Sequence, residues 1–313
     1  MVFVNFCQDN LAILSSEIHI SLIKGHATAC LFLDITSAFD NVIPSLLISD
    51  LEELGLPPNL CLFVYNLIHY RKLQFVINGE LSDTLFSYKG VPQGSILSPI
   101  LFNIYVSKLH KYISEDCEII QFADDIAIFS SSSSIENALV QVESSANKLS
   151  KFLYSKGLTV SPSKSSLVIF TKKYINPFAY SINVDDSIIQ STDSCKFLGI
   201  HFDYRLSGKN HINNLSIRCS KLLNILSMLR GTWWGGDPRS LLHIYKALIR
   251  SSIEYGCLTF PFNTHTEMYK LEKIQFRAIR LCLGLRKTTP TNVLLAEAGE
   301  GTLKHRDVRI KVF

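Results

Sequence analysis

The sequence has no uninterrupted apolar run long enough to span a bilayer, although 47% of its 313 residues are hydrophobic. Its first fourteen residues lack the basic start and small-residue cleavage site of a secretory signal. The protein is therefore expected inside the cell, with no membrane partner. Eight cysteines are present (Cys7, Cys30, Cys61, Cys117, Cys195, Cys219, Cys257, Cys282), but no two stand close together. Neither a zinc site nor a disulfide framework is indicated, and they read as small core residues. There is no internal repeat. With 19% charged residues the composition is globular, enough for one large or two modest domains.

Charge is unevenly spread. Residues 1–204 hold 13 Lys and Arg against 20 Asp and Glu, and residues 205–313 hold 18 against 7, so the parts carry −7 and +11 within the total of +4. An acidic body followed by a basic arm suits a protein that holds a polyanion, although basic helices are also simply soluble.

The acidic body centres on Gln121 to Phe129, where Asp124 and Asp125 interrupt two short apolar runs. The pattern predicts a hairpin with strands Ile119–Phe122 and Ile126–Phe129 and both carboxylates at the turn. Neighbouring carboxylates repel, and a hard divalent cation or covering water relieves them. The pair alone reads first as a solvated turn, since Asp-Asp in turns is common, with a metal site the rarer alternative.

Upstream, Leu11, Leu14, Ile18 and Leu22 predict an amphipathic helix capped by Asn10 and ended by Gly25. Ala29–Leu33 predicts a buried strand with Asp34 at its end, where a sheet holds a carboxylate rigidly. Two helices follow, Pro44–Leu54 and Pro58–Tyr70, the second with a core stripe of Leu60, Phe63, Val64 and Leu67. Residues 73–77 and 84–88 read as paired strands with Asn78-Gly79 opening the connection. In the loop Gly90–Ser95, glycines allow close backbone approach to a flat ligand, and Gln93 offers it a donor and an acceptor. A helix from Ile135 to Phe152 and strands near 167–170, 182–184 and 195–202 lead to helices near 214–230, 238–253 and 267–283. The border between body and arm is expected close to Tyr204.

Three carboxylates at a strand end and a hairpin tip are the parts of a two-metal phosphoryl-transfer site. In order and spacing, F-L-D-I-T-S-A-F-D-N-V from Phe32, G-V-P-Q-G-S-I-L-S-P-I-L-F-N from Gly90, F-A-D-D from Phe122, Gly157-Leu158 with Lys164, and F-L-G-I from Phe197 closely resemble the palm motifs of reverse transcriptases of non-LTR retrotransposons, of the insect jockey and R1 type. Tyr255-Gly256-Cys257, Ile274-Gln275 to Gly284 and Thr289-Pro290 are similar to the thumb and connection of such proteins.

The resemblance implies an α+β fold. A right-hand polymerase palm, an antiparallel sheet with packed helices and a remnant of the fingers, spans residues 1–204, followed by an all-α basic thumb and connection over 205–313. It implies an RNA-directed DNA polymerase that joins dNTPs to a primer 3′-hydroxyl on an RNA template with two Mg²⁺ ions, Mn²⁺ being the alternative, and work in the nucleus. Asp34 and Asp124 match the bridging metal ligands, Asp125 the supporting carboxylate, and Ile35 a backbone-carbonyl ligand. Phe39 matches the aromatic gate that fills the space of a ribose 2′-hydroxyl; by itself it reads as a core phenylalanine. Gln93 matches the residue beside the nucleotide sugar, in a loop shaped by Gly90 and Gly94. Lys164 matches a basic residue assisting pyrophosphate departure, and Phe197, Leu198 and Gly199, with Ile200, the primer grip.

Ser161 and Ser165 depart slightly from the usual surroundings of that lysine. A complete polymerase of this type is expected to carry fingers strands and usually an endonuclease upstream of the first palm helix, and neither these nor a ribonuclease H or zinc knuckle is recognised within these 313 residues. The chain alone is thus expected to hold primer–template but polymerise poorly or not at all. The alternative is an inactive remnant of an element that only binds nucleic acid. A metal-dependent glycosyltransferase needs neither the Gln93 loop nor the basic arm. The sequence carries no signal for oligomeric state.

Overall fold

The computed structural model of the chain describes residues 7–231, 235–256, 259 and 265–303. After helix α1 (Cys7–Ile23), every residue of strand β1 (Ala27–Leu33) is buried, as the apolar run Ala29–Leu33 demands of a strand covered on both faces. A 3₁₀ turn at Phe39–Asn41 leads to α2 (Pro44–Glu53) and α3 (Pro58–Ile68), each opened by a proline whose missing N–H is harmless there. Two small ribbons follow: β2 (Arg71–Leu73) pairs with β5 (Leu85–Ser87), and β3 (Val76–Ile77) pairs with β4 (Glu80–Leu81) across Asn78-Gly79. Then come α4 (Ser98–Tyr105), β6 (Glu118–Phe122), β7 (Asp125–Ser132), α5 (Ile135–Ser155), β8 (Ser166–Phe170), β9 (Ser181–Val184) and β10 (Ser187–Thr192).

The main sheet has the order β6-β7-β1-β8-β10-β9 and is antiparallel except between β8 and β10. One face is covered by helices. On α5, Ala138, Val142, Ala146, Leu149 and Leu153 recur at helical spacing and are fully buried, and the helix packs on β1, β7 and β9. Leu31, Leu33, Ile126 and Ile128 of the sheet belong to the same core. Each such side chain contributes about 1.5–3 kcal/mol by leaving water.

The chain forms two compact units, one of residues 21–193 and one that takes the first helix up to Ile20 together with the chain from Ser194 onward. The change comes before Tyr204 because the hairpin of β11 (Ser194–Phe197) and β12 (Ile200–Asp203) stays out of the main sheet and packs on α6 (Lys209–Leu229). The second unit thus opens on this hairpin, and from Lys209 onward its described elements are helices. It continues through α7 (Pro238–Tyr245), a π-helical turn at Lys246–Arg250, α8 (Ser251–Glu254), α9 (His265–Leu283) and α10 (Thr291–Ala298). Cys219, Leu223, Leu271, Ile279 and Leu294 sit in its core. Glu300, whose side chain is 1% exposed, is answered by Lys246 and Arg250, both at 3.2 Å.

Some local expectations are corrected. Asn10 lies inside α1 and is buried, so it does not cap the helix. On α3 the inward residues are Cys61, Val64 and Ile68, while Leu60 and Phe63 are exposed. Two stripes one position apart fit the same periodicity, and packing alone selects between them. Six cysteines are buried and Cys7 is half-buried, all of them free, and Cys257 lies outside the described residues. Among the described residues no helix is long and apolar enough to cross a membrane.

Candidate active site

Asp34 stands one residue beyond the last pair of β1 with β7, Leu33 with Ile126, which puts it opposite Asp125, the first residue of β7. Leu33 and Ile126 point into the helix-covered core, so by alternation Asp34 and Asp125 turn to the other face. Residues facing each other in this way have Cβ atoms about 4.5–5.5 Å apart. The hairpin turn itself is Ala123-Asp124, because Phe122 pairs with Asp125. Only Asp124 is at the turn; Asp125 belongs to the strand. Ala123 adopts φ 55°, a strained value for a residue with a side chain, and the Gln121 amide donates to its carbonyl.

The backbone around Asp34 is clamped. Its carbonyl accepts from the Ser161 N–H at 2.8 Å, the Thr36 N–H donates to the Thr159 carbonyl at 2.9 Å, and Ile35 bridges Val160 between them. In this pattern the flanking residues carry the hydrogen bonds, so the N–H and carbonyl of Ile35 point away from Val160. The Ser165 hydroxyl accepts from the Asp34 N–H and donates to the Ser161 carbonyl. That tight turn presents Lys164, whose Nζ lies 3.8 Å from Asp34 Oδ2.

Electrostatically the site is short of positive charge. Desolvation by the surrounding atoms, then Asp124, then Asp34, push the Asp125 carboxyl above the usual carboxylate range, although solvent reaches its tip. Among the described residues no three Asp, Glu, His or Cys side chains stand within reach of one metal ion. Asp34, Asp124 and Asp125 therefore do not converge on one metal position as a two-metal site requires, and Asp34 faces the ammonium of Lys164. The residues fit a divalent cation by chemistry, since the donors are all hard oxygens, and by their placement on clamped neighbouring backbone.

Beside them, the Gly90 loop is fastened to the turn that follows Asp34. Gly90 N–H donates to the Val42 carbonyl at 2.7 Å and Val91 N–H to the Phe39 carbonyl at 2.8 Å. A Cβ on Gly90 would stand 2.7 Å from the Asp40 carbonyl oxygen, so a glycine is required by contact as well as by its φ of 82°. Gly94, at φ 86°, has open space around it. The Gln93 amide donates to Asp40 Oδ1 at 3.2 Å, and Lys89 Nζ donates to Asn41 Oδ1 at 2.8 Å. Phe39 is half-buried, its ring stacked on Phe102 with centroids 4.8 Å apart. Asp40 as the partner of Gln93 was missed from sequence, and nothing in the local pattern announces it.

Phe197, Leu198, Gly199 and Ile200 form the tip of the β11–β12 hairpin in the second unit. Phe197 and Ile200 are buried, leaving the half-exposed Leu198 and exposed Gly199 as the outward part.

A family profile described as reverse transcriptase (RNA-dependent DNA polymerase) matches residues 6–202. The chain is 26% identical over 265 residues to the RNA-directed DNA polymerase from mobile element jockey of Drosophila melanogaster, an alignment covering 81% of this chain and 28% of that protein. It is 22% identical over 320 residues to the Retrovirus-related Pol polyprotein from type-1 retrotransposable element R2 of Popillia japonica, covering 97% of this chain and 50% of that one. The chain thus spans between about a quarter and a half of the length of these relatives. Among solved structures, apo telomerase from Candida Tropicalis aligns over 88% of this chain and 49% of that one, at 16% identity and a TM-score of 0.44. All five palm-like motifs fall within the matched residues, in order, and the profile takes in more than half of the sequence: the chain belongs to the reverse transcriptase family, alongside the polymerases of non-LTR retrotransposons.

Proposed function

We propose that this chain carries the polymerising palm and the basic thumb of an RNA-directed DNA polymerase, adding dNTPs to a DNA primer on an RNA template. The observation that supports this most is the placement of Asp34 opposite Asp125 on adjacent strands, with Asp124 on the turn, in a chain of this family. Asp34 and Asp124, supported by Asp125 and the Ile35 carbonyl, would hold two Mg²⁺ ions, or Mn²⁺ in their place. Such ions supply Lewis acidity to the attacking 3′-oxygen and the departing pyrophosphate.

The remaining roles belong to the protein. Phe39, fixed on Phe102, limits the volume beside the nucleotide sugar. Gln93, oriented by Asp40, and the backbone at Gly90 and Gly94 form the surface on which that sugar rests. Lys164 places a cation beside Asp34, where charge builds on the leaving group. Leu198 and Gly199, with Phe197 packed behind them, grip the primer. The basic residues from 205 onward hold phosphates without reading sequence, and nuclear residence follows from the same family reading.

The test is binding of a DNA primer annealed to an RNA template, followed by fluorescence anisotropy as salt rises. A protein meeting six to ten phosphates loses about 10³–10⁵ in affinity between 50 and 200 mM salt. Absent or salt-insensitive binding would overturn the reading.

A further inference from the structure

The β11–β12 hairpin turns on two residues, Leu198 at φ 46° and Gly199 at φ 81°. Successive positive φ values define a turn in which asparagine or glycine normally leads, and a leucine there is strained. Such strain persists only where the surroundings hold it. Here they do so at three points of the same unit. The Tyr255 hydroxyl donates to the Leu198 carbonyl at 2.7 Å. A Cβ on Gly199 would stand 3.5 Å from Tyr255 Cε1, so the ring lies against the turn. Gly256, at φ 75°, abuts Ile200 so closely that a Cβ would come within 2.2 Å of its Cδ1.

Tyr255 is itself held. Its single proton goes to Leu198, so Cys7 Sγ, 2.9 Å away, donates its thiol proton to the phenol oxygen. Burial, followed by the contact with Cys7, raises the phenol well above its ordinary range, and it remains a donor at working pH. The relay joins residues 248 and 57 positions apart in the chain.

A strained leucine left half-exposed at a hairpin tip presents an apolar knob, the complement of the sugar face of a nucleic-acid strand. We infer that Tyr255, backed by Cys7, is a positioning residue that fixes the Leu198-Gly199 tip against the primer strand. The inference rests on the polymerase reading above.

The test uses the full chain and Tyr255→Phe, which removes only the hydroxyl. Affinity is measured for a DNA primer annealed to RNA and for the same RNA single-stranded, and hydrogen exchange is followed in the peptide 194–203. Losing one neutral hydrogen bond of ordinary worth should weaken primer–template binding about fivefold. Binding of the single strand should not change, and exchange at the tip should accelerate. Cys7→Ser keeps a donor and should behave as the parent, whereas Cys7→Ala should share part of the loss. Leu198→Gly, which relieves the strain and removes the knob, should also lose the preference for primer–template. A parent chain with no such preference overturns the polymerase reading and the inference with it. A preference left undiminished by Tyr255→Phe or by Leu198→Gly overturns the inference alone.

Discussion

Alanine at Gly90 and at Gly94 makes a matched pair that isolates the contact between the Gly90 loop and the turn after Asp34. Both glycines have positive φ, 82° and 86°, so alanine meets the same left-handed penalty of about 1–2 kcal/mol at each. Stiffening of the unfolded chain offsets about 0.4–1 kcal/mol of it. The two sites then diverge. Around Gly94 nothing lies within 4 Å of a new Cβ, whereas at Gly90 it would stand 2.7, 2.8 and 3.0 Å from the O, Cα and C of Asp40. Those are backbone atoms that cannot rotate away, so the loop has to retreat. Overpacking of this kind costs about 1–3 kcal/mol. The retreat also stretches the hydrogen bonds from Gly90 to Val42 and from Val91 to Phe39, each worth about 1 kcal/mol. Gly90→Ala should therefore be less stable than Gly94→Ala by about 2–4 kcal/mol. For a unit of this size that separates the two Tm values by roughly 5–15 °C in thermal unfolding followed by circular dichroism. The same retreat moves Phe39 and the Asp40–Gln93 pair, so KM for dNTP should rise more in Gly90→Ala. Equal Tm values for the two variants would refute the close approach.

Asp125→Asn addresses the electrostatics. An acid whose folded pKa is raised keeps its proton longer than the unfolded chain does, so stability falls as pH climbs from the unfolded value, near 3.9, through the folded one, and the deficit is complete above it. The variant should melt modestly higher than the parent at neutral pH in EDTA, with the advantage fading toward pH 4, and an advantage that grows in acid would contradict the assignment. Phe39→Val removes a half-buried ring and its stacking on Phe102, a loss of roughly 1–3 kcal/mol. In nucleotide competition it should raise ribonucleotide incorporation, and unchanged discrimination would leave Phe39 a packing residue only.

What could be read from the sequence was carried by short-range pattern. β1 holds the continuous apolar run Ala29–Leu33, α5 a clean helical stripe, and the acidic hairpin two apolar runs around a polar pair, so each identified itself from its own stretch of sequence. Asp34 at a strand end and Asp124 at a turn followed directly. Asp125 was misplaced by one position because a two-residue turn at Ala123-Asp124 pairs it with Phe122. The unread features depend on partners distant in the chain. The inward face of α3 is chosen by its neighbours, the β11–β12 hairpin leaves the main sheet for α6, and Asp40 meets Gln93 across 53 positions. Tyr255 meeting Leu198 is of the same kind. The approach of the Lys164 ammonium to Asp34 is a contact of the same long-range kind.

The most direct test of the polymerase assignment is single-nucleotide incorporation on an RNA-templated DNA primer, titrated with Mg²⁺, for the parent chain and Asp124→Asn. The parent should add the template-directed dNTP slowly and only with the divalent ion. Asp124→Asn should bind the same primer–template equally well yet lose incorporation by at least about 10²-fold, the usual scale for removing a group that stabilises developing charge. Incorporation that survives Asp124→Asn, or that proceeds in the parent without any divalent ion, would contradict it.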